Sequence, residues 1–417
     1  MSDSAEKVIT KYGTIGFVQC NGIVAKKNIV FNDMYWLAEH SILSYIYGYN
    51  HSNIIKHNIV HFLNTKSPKE RKKKLYYQIE FPFYDKTLNQ YKISNDQELL
   101  QILIDIVSAI KMLHKLNIWH RDIKPENILI KDNRAIIIDF SHAIRICKQY
   151  KIELDAAVVT FSHRAPEVFK YSRDKTCRYS NKIDIWSIGV ILFELVTEKM
   201  MYSIIGDYHD EQDIDDFFNK QIMFKSLNII HQEYVCSKQS KYIHYEFYWD
   251  LISNMLNYNE ERRYTAEELY EKIYSFAEEQ NIELIIPTFI DGEYPKHKQE
   301  IKNYDNQLYT LCCDLFISFN KLFKLIDSNI AQLILKQMIC DGKITNSNYK
   351  KQCYTIYVIL LNMIYDINIY MDELVETYNS FITDTDKITE KIMQSLIIDL
   401  IITYGNDIFV FNKFNIY

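Results

Sequence analysis

The sequence predicts an α+β protein with a small strand-rich lobe over about residues 7–82 and a larger helical lobe over about 83–280. A linker over 281–304 and an all-α domain of five helices over 305–417 are expected to follow. Three observations carry this. Short apolar runs alternate with turns through the first 90 residues. From about Gln97 apolar residues recur every three or four positions. Between Leu284 and Tyr304 the sequence turns polar and carries Pro287, Gly292 and Pro295. With 417 residues, 48% of them apolar, the protein has enough to bury more than one core.

In sequence order, Phe17–Cys20 and Ile23–Lys27 flank Asn21-Gly22, a pair suited to the two positive φ angles of a type I′ turn, which predicts a hairpin. Asp33 is placed to cap a helix running to about Tyr47, and Leu75–Phe81 reads as a strand. The basic run Lys66–Lys74 lies between strands and lacks interleaved aromatics, so it reads as a solvated hairpin loop. Leu99, Leu103, Ile106, Ile110 and Leu113 build one apolar face of a helix, and further helices are expected at Ile183–Thr197, Tyr248–Leu256 and Thr265–Phe276. Beyond the linker, helices are expected near 305–324, 328–340, 347–366, 370–381 and 386–404, with Gly342 and Gly405 where C-caps favour a left-handed residue.

The composition excludes some classes of function. A net charge of −6 with 24% charged residues leaves no polybasic arm, so nucleic acid is not the expected partner. The most apolar stretch, about Tyr354–Met371, contains Asn362 and Asp366 and falls short of the roughly 20 residues of a membrane span. Eight cysteines without a CxxC pair, and a first segment MSDSAEKVIT without an apolar core, suit a reduced, intracellular protein. Tyrosine reaches 33 residues while glycine is held to nine, a bias resembling that of an AT-rich genome.

The richest stretch is His120-Arg121-Asp122-Ile123-Lys124-Pro125-Glu126-Asn127, followed at short-hairpin spacing by Ile136-Ile137-Ile138-Asp139-Phe140. Phosphoryl transfer accounts for these residue types. One carboxylate orients an attacking hydroxyl and accepts its proton, while an amide and a second carboxylate hold the metal ions that neutralise nucleotide phosphates. Asp122, Asn127 and Asp139 fit those roles in order.

With Ala165-Pro166-Glu167 and Asp184-Ile185-Trp186-Ser187-Ile188-Gly189 following in order, residues 7–277 resemble the eukaryotic protein-kinase family. The resemblance implies a two-lobed kinase fold, ATP and Mg²⁺ as cofactors, and protein substrates. It implies that Lys27 meets the nucleotide phosphates and that Glu39 pairs with it. Strand alternation puts Ala25 and Lys27 on one face, although a one-residue slip would exchange Lys27 for Lys26. Ile79 resembles a gatekeeper and Glu80, Phe81 and Pro82 a hinge, whose backbone would hold the adenine. Gly13, Gly16 and Val18 match part of a glycine-rich loop, but Lys11 stands in place of its first glycine. Ser141 stands where glycine usually follows Asp139-Phe140. Lys124 and Thr160 resemble the pair that marks serine/threonine kinases, Glu167 the partner of a buried arginine for which Arg263 is the candidate, and Asp184 the anchor of the catalytic loop.

The segment Val158–Glu167, with Arg164 directly before Ala165, resembles the cyclin-dependent branch and implies phosphorylation of serine or threonine followed by proline. Asp155 stands where that branch places an activating phosphothreonine. It reads either as a phosphate mimic paired with Arg121 or as a solvated loop residue, and Ala38 replaces a second arginine of that branch. The five C-terminal helices resemble a single cyclin box at Phe319–Leu325, Tyr354–Tyr378 and Ile388–Phe409; an unrelated helical extension is the alternative. A cyclin-like domain would dock on the Glu39 helix within the same molecule or in trans, and a short tether raises effective concentration to about millimolar. Beside the kinase reading stands another class of function, a pseudokinase scaffold that binds partners through the helical domain.

Overall fold

The computed structural model describes residues 7–9, 16–20, 24–30, 39, 42, 43, 46, 49–65, 74–145, 160–169, 179–201, 222–237, 241–291, 307–313, 315, 335, 338, 339, 344, 345, 347–365, 375, 379, 389, 392 and 396. Strands β1 (Lys7–Ile9), β2 (Gly16–Cys20), β3 (Val24–Val30), β5 (Asn58–Thr65) and β6 (Lys74–Pro82) form one antiparallel sheet in the order β1-β2-β3-β6-β5. β4 (Tyr49–His51) lies outside that sheet. The β2–β3 ladder closes at Cys20↔Ala25, so the expected hairpin forms. A two-residue turn at Asn21-Gly22 would pair Cys20 with Ile23, and the observed register instead leaves residues 21–24 between the last paired positions; residues 21–23 lie outside the described residues. Residues 66–73 of the basic run also lie outside them.

The second lobe is built around α1 (Asp96–Lys115), whose N-cap Asn95 accepts the backbone N–H of Glu98. The single apolar stripe expected for this helix is too narrow. Leu100, Ile102, Ile104, Val107 and Ala109 are buried as completely as the predicted face, because α1 is surrounded by the lobe and follows the all-round pattern of an internal helix. Around it stand α2 (Lys182–Thr197), α3 (Ile222–Ser237), α4 (Tyr245–Met255) and α5 (Ala266–Glu279). Thr265 and Glu268 cap α5 reciprocally. The helix α3 is not among those the sequence predicts, and α4 starts three residues earlier than expected.

Short strands organise the space between the lobes. β7 (Lys86–Thr87), β9 (Ile128–Lys131) and β10 (Arg134–Ile137) form a three-stranded sheet, and β8 (Ile118–Trp119) pairs with β11 (Ile144–Arg145). Asp132 and Asn133 both have positive φ, which turns β9 tightly into β10. Within the expected linker, β12 (Phe289–Asp291) pairs antiparallel with β4. Past residue 305 the described residues include α6 (Tyr349–Tyr365) and further helical positions at 307–313, 315, 335, 338, 339, 375, 379, 392 and 396. Gly342, Gly405 and a count of helices there lie outside the described residues. Among the described residues Cys312, Cys313 and Cys353 are thiols outside any disulfide, and no helix is long and apolar enough to cross a membrane.

Where α2 crosses α4, Gly189 allows the backbones to approach: a Cβ there would lie 2.8 Å from the Met255 Cβ and 3.0 Å from the Leu256 Cδ2. A methyl group at this crossing overpacks the core. Gly189→Ala is expected to destabilise the protein by about 1–3 kcal/mol, read in a calorimetric scan as a lowered unfolding midpoint.

Candidate active site

Three elements meet at Lys27. In the β3–β6 ladder Lys27 lies opposite Ile79 and Ala25 opposite Phe81, and Ala25 and Ile79 are buried while Phe81 is half-buried. The register question is thereby resolved in favour of Lys27. Its Nζ donates to Glu39 Oε1 at 2.9 Å, to Glu39 Oε2 at 3.0 Å and to Asp139 Oδ1 at 2.7 Å. Glu39 is helical and buried with Ile42, Leu43 and Ile46, the three- and four-residue spacing of one helix face. Burial alone would lower the Lys27 pKa, but the charges of Asp139 and Glu39 outweigh it and raise it well above the lysine range. Burial would likewise raise that of Asp139, yet the Lys27 charge and the hydrogen bonds from Lys27 and Ser141 depress it far below the carboxylate range. Glu39 is raised, by burial first.

The departure at Ser141 has a local explanation. Its Oγ donates to Asp139 Oδ1 at 2.8 Å, a bond glycine could not make. Asp139 itself sits at φ 64, a left-handed conformation that costs a non-glycine residue of order 1–3 kcal/mol and is held by these contacts.

The catalytic-loop residues converge from the other side. Asp122 Oδ2 lies 2.7 Å from Lys124 Nζ and accepts Asn127 Nδ2 at 2.9 Å, while Oδ1 accepts the Thr160 hydroxyl and its backbone N–H. The Thr160 Oγ1 in turn accepts Lys124 Nζ at 2.7 Å. Burial opposes ionisation of Asp122, but the Lys124 charge and the Lys124 and Thr160 hydrogen bonds hold its pKa below the ordinary value. The β9–β10 hairpin fixes the spacing to Asp139, with Ile138 N–H donating to the Asn127 carbonyl at 3.0 Å. Arg121, at φ 63, is pinned by Asp184, whose Oδ2 accepts His120 N–H at 2.9 Å and whose Oδ1 accepts Arg121 N–H at 2.8 Å. The Arg121 side chain reaches the His142 carbonyl and the Tyr179 hydroxyl, contacts that the motif itself does not foretell. Arg263 forks onto Glu167 at 2.6 and 2.8 Å and lies over the Trp186 ring, as the sequence pairing expects.

The described residues bring together Asp122, Lys124, Asn127 and Thr160 in one cluster, and Lys27, Glu39 and Asp139 in another. Gly16 and Val18 lie in β2, and Glu80 and Phe81 follow the buried Ile79 along β6. Gly13, Lys11, Ala38 and Asp155 lie outside the described residues. The donor set suits a hard cation: with Asp139 Oδ1 engaged and Asn127 Nδ2 committed to Asp122, the second Asp139 oxygen and the Asn127 side-chain Oδ1 are the atoms that would take Mg²⁺.

Buried histidines line this region. Burial keeps His163 and His51 down at about 4, and lowers His120 and His142 as well. The unfolded polypeptide binds these protons near pH 6.5, whereas the folded protein resists them to about pH 4 at His51 and His163. Stability is therefore expected to fall as pH drops from about 6.5 toward 4, with a lower Tm at each step of a pH series, and His163→Gln is expected to flatten that slope.

The protein kinase domain family model matches residues 17–275. The serine/threonine kinase NLK of Caenorhabditis elegans is 38% identical over 112 residues, which cover 27% of this chain and 17% of that protein. The probable cell division protein kinase of Encephalitozoon cuniculi is 27% identical over 197 residues, 46% of this chain and 67% of that one. The human phosphorylase b kinase gamma catalytic subunit, liver/testis isoform, is 31% identical over 176 residues, 42% of this protein and 39% of that one. The match to NLK thus spans about a sixth of that relative's length. With the family model spanning more than half of the sequence and the Lys27, Asp122 and Asp139 clusters assembled between its lobes, the chain belongs to the protein kinase domain family.

Proposed function

We propose that this protein is a serine/threonine protein kinase that transfers the γ-phosphoryl group of ATP to a protein hydroxyl. The observation that carries the reading is the Asp122 carboxylate, ionised and held at three points by Lys124, Asn127 and Thr160. In the reaction Asp122 orients the substrate hydroxyl and takes its proton as the oxygen–phosphorus bond forms and the bond to the ADP oxygen breaks. Lys124 stays beside the attacking oxygen as a fixed positive charge, and Lys27 holds the nucleotide phosphates. Asn127 and Asp139 would hold Mg²⁺, which when bound would supply neutralisation of the phosphate charge. The Ser141 hydroxyl on Asp139 supports this reading over a pseudokinase scaffold, since the residue that departs from the family adds a contact to the metal ligand.

The substrate preference is proposed to be proline-directed. Arg164 lies with its guanidinium 5.3 Å from the Phe169 ring centroid, and Phe161 meets the same ring edge-on, which supports a rigid surface beside Thr160 for the residue after the target. The helical segment past residue 305 is proposed as a cyclin-like domain that docks within the same molecule or in trans. An intracellular location is proposed, in keeping with ATP as donor and with eight cysteines that include no CxxC pair.

Asp122→Asn is expected to reduce transfer of labelled phosphate to a generic basic protein by about 10²–10⁴-fold with an unchanged Tm. Full activity in that variant would refute the role of Asp122. A Ser-Pro peptide is expected to be phosphorylated with at least roughly tenfold higher kcat/KM than its Ser-Ala counterpart, and equal values would remove the proline preference.

A further inference from the structure

The segment after α5 does not leave the catalytic domain. From Asn281 it runs along α1 and crosses to the other lobe, and the contacts are read through its backbone. Gln97 Nε2 donates to the Glu283 carbonyl at 3.1 Å. Gln101 takes both sides of Ile285, accepting its N–H at 2.8 Å and donating to its carbonyl at 3.0 Å. The geometry is commensurate. Four residues of helix advance about 6.0 Å and two residues of strand about 6.6 Å, so glutamines spaced by four meet peptide groups spaced by two. Ser52 N–H then donates to the Thr288 carbonyl at 3.1 Å and Thr288 N–H to the Ser52 Oγ at 3.2 Å, and β12 pairs with β4 in the register Phe289↔His51, Ile290↔Asn50 and Asp291↔Tyr49.

β4 begins three residues after Ile46, the last described residue of the Glu39 helix. Its far end is tied to α1: His51 Nδ1 accepts the Asn53 N–H, which leaves the Nε2 proton of the neutral ring for Ser108 Oγ at 3.1 Å. Asn53 continues the connection by donating to the Ala135 carbonyl in β10, the strand that leads to Asp139. Gln101 meets the same strand through Asp105, which accepts Gln101 Nε2 and the Ala135 N–H.

We propose that residues 282–291 form a strap that fixes the end of the Glu39 helix and so sets the Glu39 carboxylate against Lys27, with Gln101 as the positioning residue that anchors the strap. The proposal rests on the kinase reading of that site. It makes the segment that follows Asp291 a lever on the Lys27–Glu39 pair, because any load on that segment reaches β4 through the β12–β4 ladder and the Ser52–Thr288 bonds that continue it.

The test uses the full-length protein. Gln101→Ala removes the anchor, and Ile290→Pro removes the N–H expected to pair with Asn50, two residues along the ladder from the bonded Ser52–Thr288 pair. Both variants are expected to speed hydrogen exchange over residues 39–51 by roughly tenfold or more, leaving α2 and α5 as in the wild type. kcat/KM for ATP is expected to fall by roughly tenfold or more, with KM for the protein substrate unchanged. In the Gln101→Ala background an added Asn50→Cys/Ile290→Cys pair, oxidised with diamide and verified by mass spectrometry, is expected to restore both readouts, and reduction to abolish the rescue. Unchanged exchange over 39–51 in both variants overturns the strap, and faster exchange with unaltered ATP kinetics overturns its link to Glu39. A wild type that transfers no phosphate counts against the kinase reading instead, while the exchange comparison still decides the strap.

Discussion

The fold's chemistry depends on one ammonium group shared by two carboxylates. Lys27 comes from the β-rich lobe, Glu39 from a helix of that lobe and Asp139 from the strand-rich floor of the other, so their contacts tie the lobes at a charged point. The arrangement carries one more negative than positive charge, and burial opposes each of the three ions. It therefore holds only while all three groups stay within hydrogen-bond reach. Removing Lys27 leaves two buried carboxylates without a counter-charge, the costly way to break such a group, whereas removing either carboxylate leaves a balanced pair. Asp139, held far below the carboxylate range, offers a divalent cation an ionised ligand without a proton to displace.

A second set of contacts keeps the reacting side of the site rigid. Two non-glycine residues, Arg121 and Asp139, are held at positive φ, and each is surrounded by bonds that leave it no lower alternative. Asp184, buried at the start of α2, accepts two successive N–H groups of the loop and also meets His114 from α1. The loop is thus fastened to the two helices at the centre of the lobe, and Asp122 inherits their position. A neutral His120 suits this packing, since burial disfavours its charged form and its Nδ1 accepts the Asp122 N–H, which an imidazolium could not do.

Much of this was legible in the sequence because residue chemistry and spacing carried it. Alternation in β3 put Ala25 and Lys27 on one face while leaving a one-residue slip open, the short spacing to Asp139 marked the β9–β10 hairpin, and the pairing of Glu167 with Arg263 across almost a hundred residues came with the family resemblance. The full burial of α1 was less legible. Glu98, Gln101, Asp105 and Ser108 interrupt its apolar residues and suggest a polar side, yet each is buried against a specific partner. Positive φ at Arg121 leaves no trace in residue type, because the strain is offset by Asp184 more than sixty residues away.

The strap was hidden for a related reason. Its partners read peptide groups, so Glu283 and Ile285 needed no particular side chain, and Ile285 is in fact 62% exposed. Pro287 and the polar residues around it mark a segment that cannot continue a helix, which describes a strap as well as a free linker. What distinguishes the two lies on α1, in two glutamines one turn apart whose amides would otherwise compete for water. Gln101 is buried with its amide oxygen and nitrogen both engaged, a state that only an ordered backbone alongside could satisfy. A buried glutamine on an interior helix is thus informative about a segment nearly two hundred residues distant, and the order it imposes extends through β12 and β4 to the helix that carries Glu39.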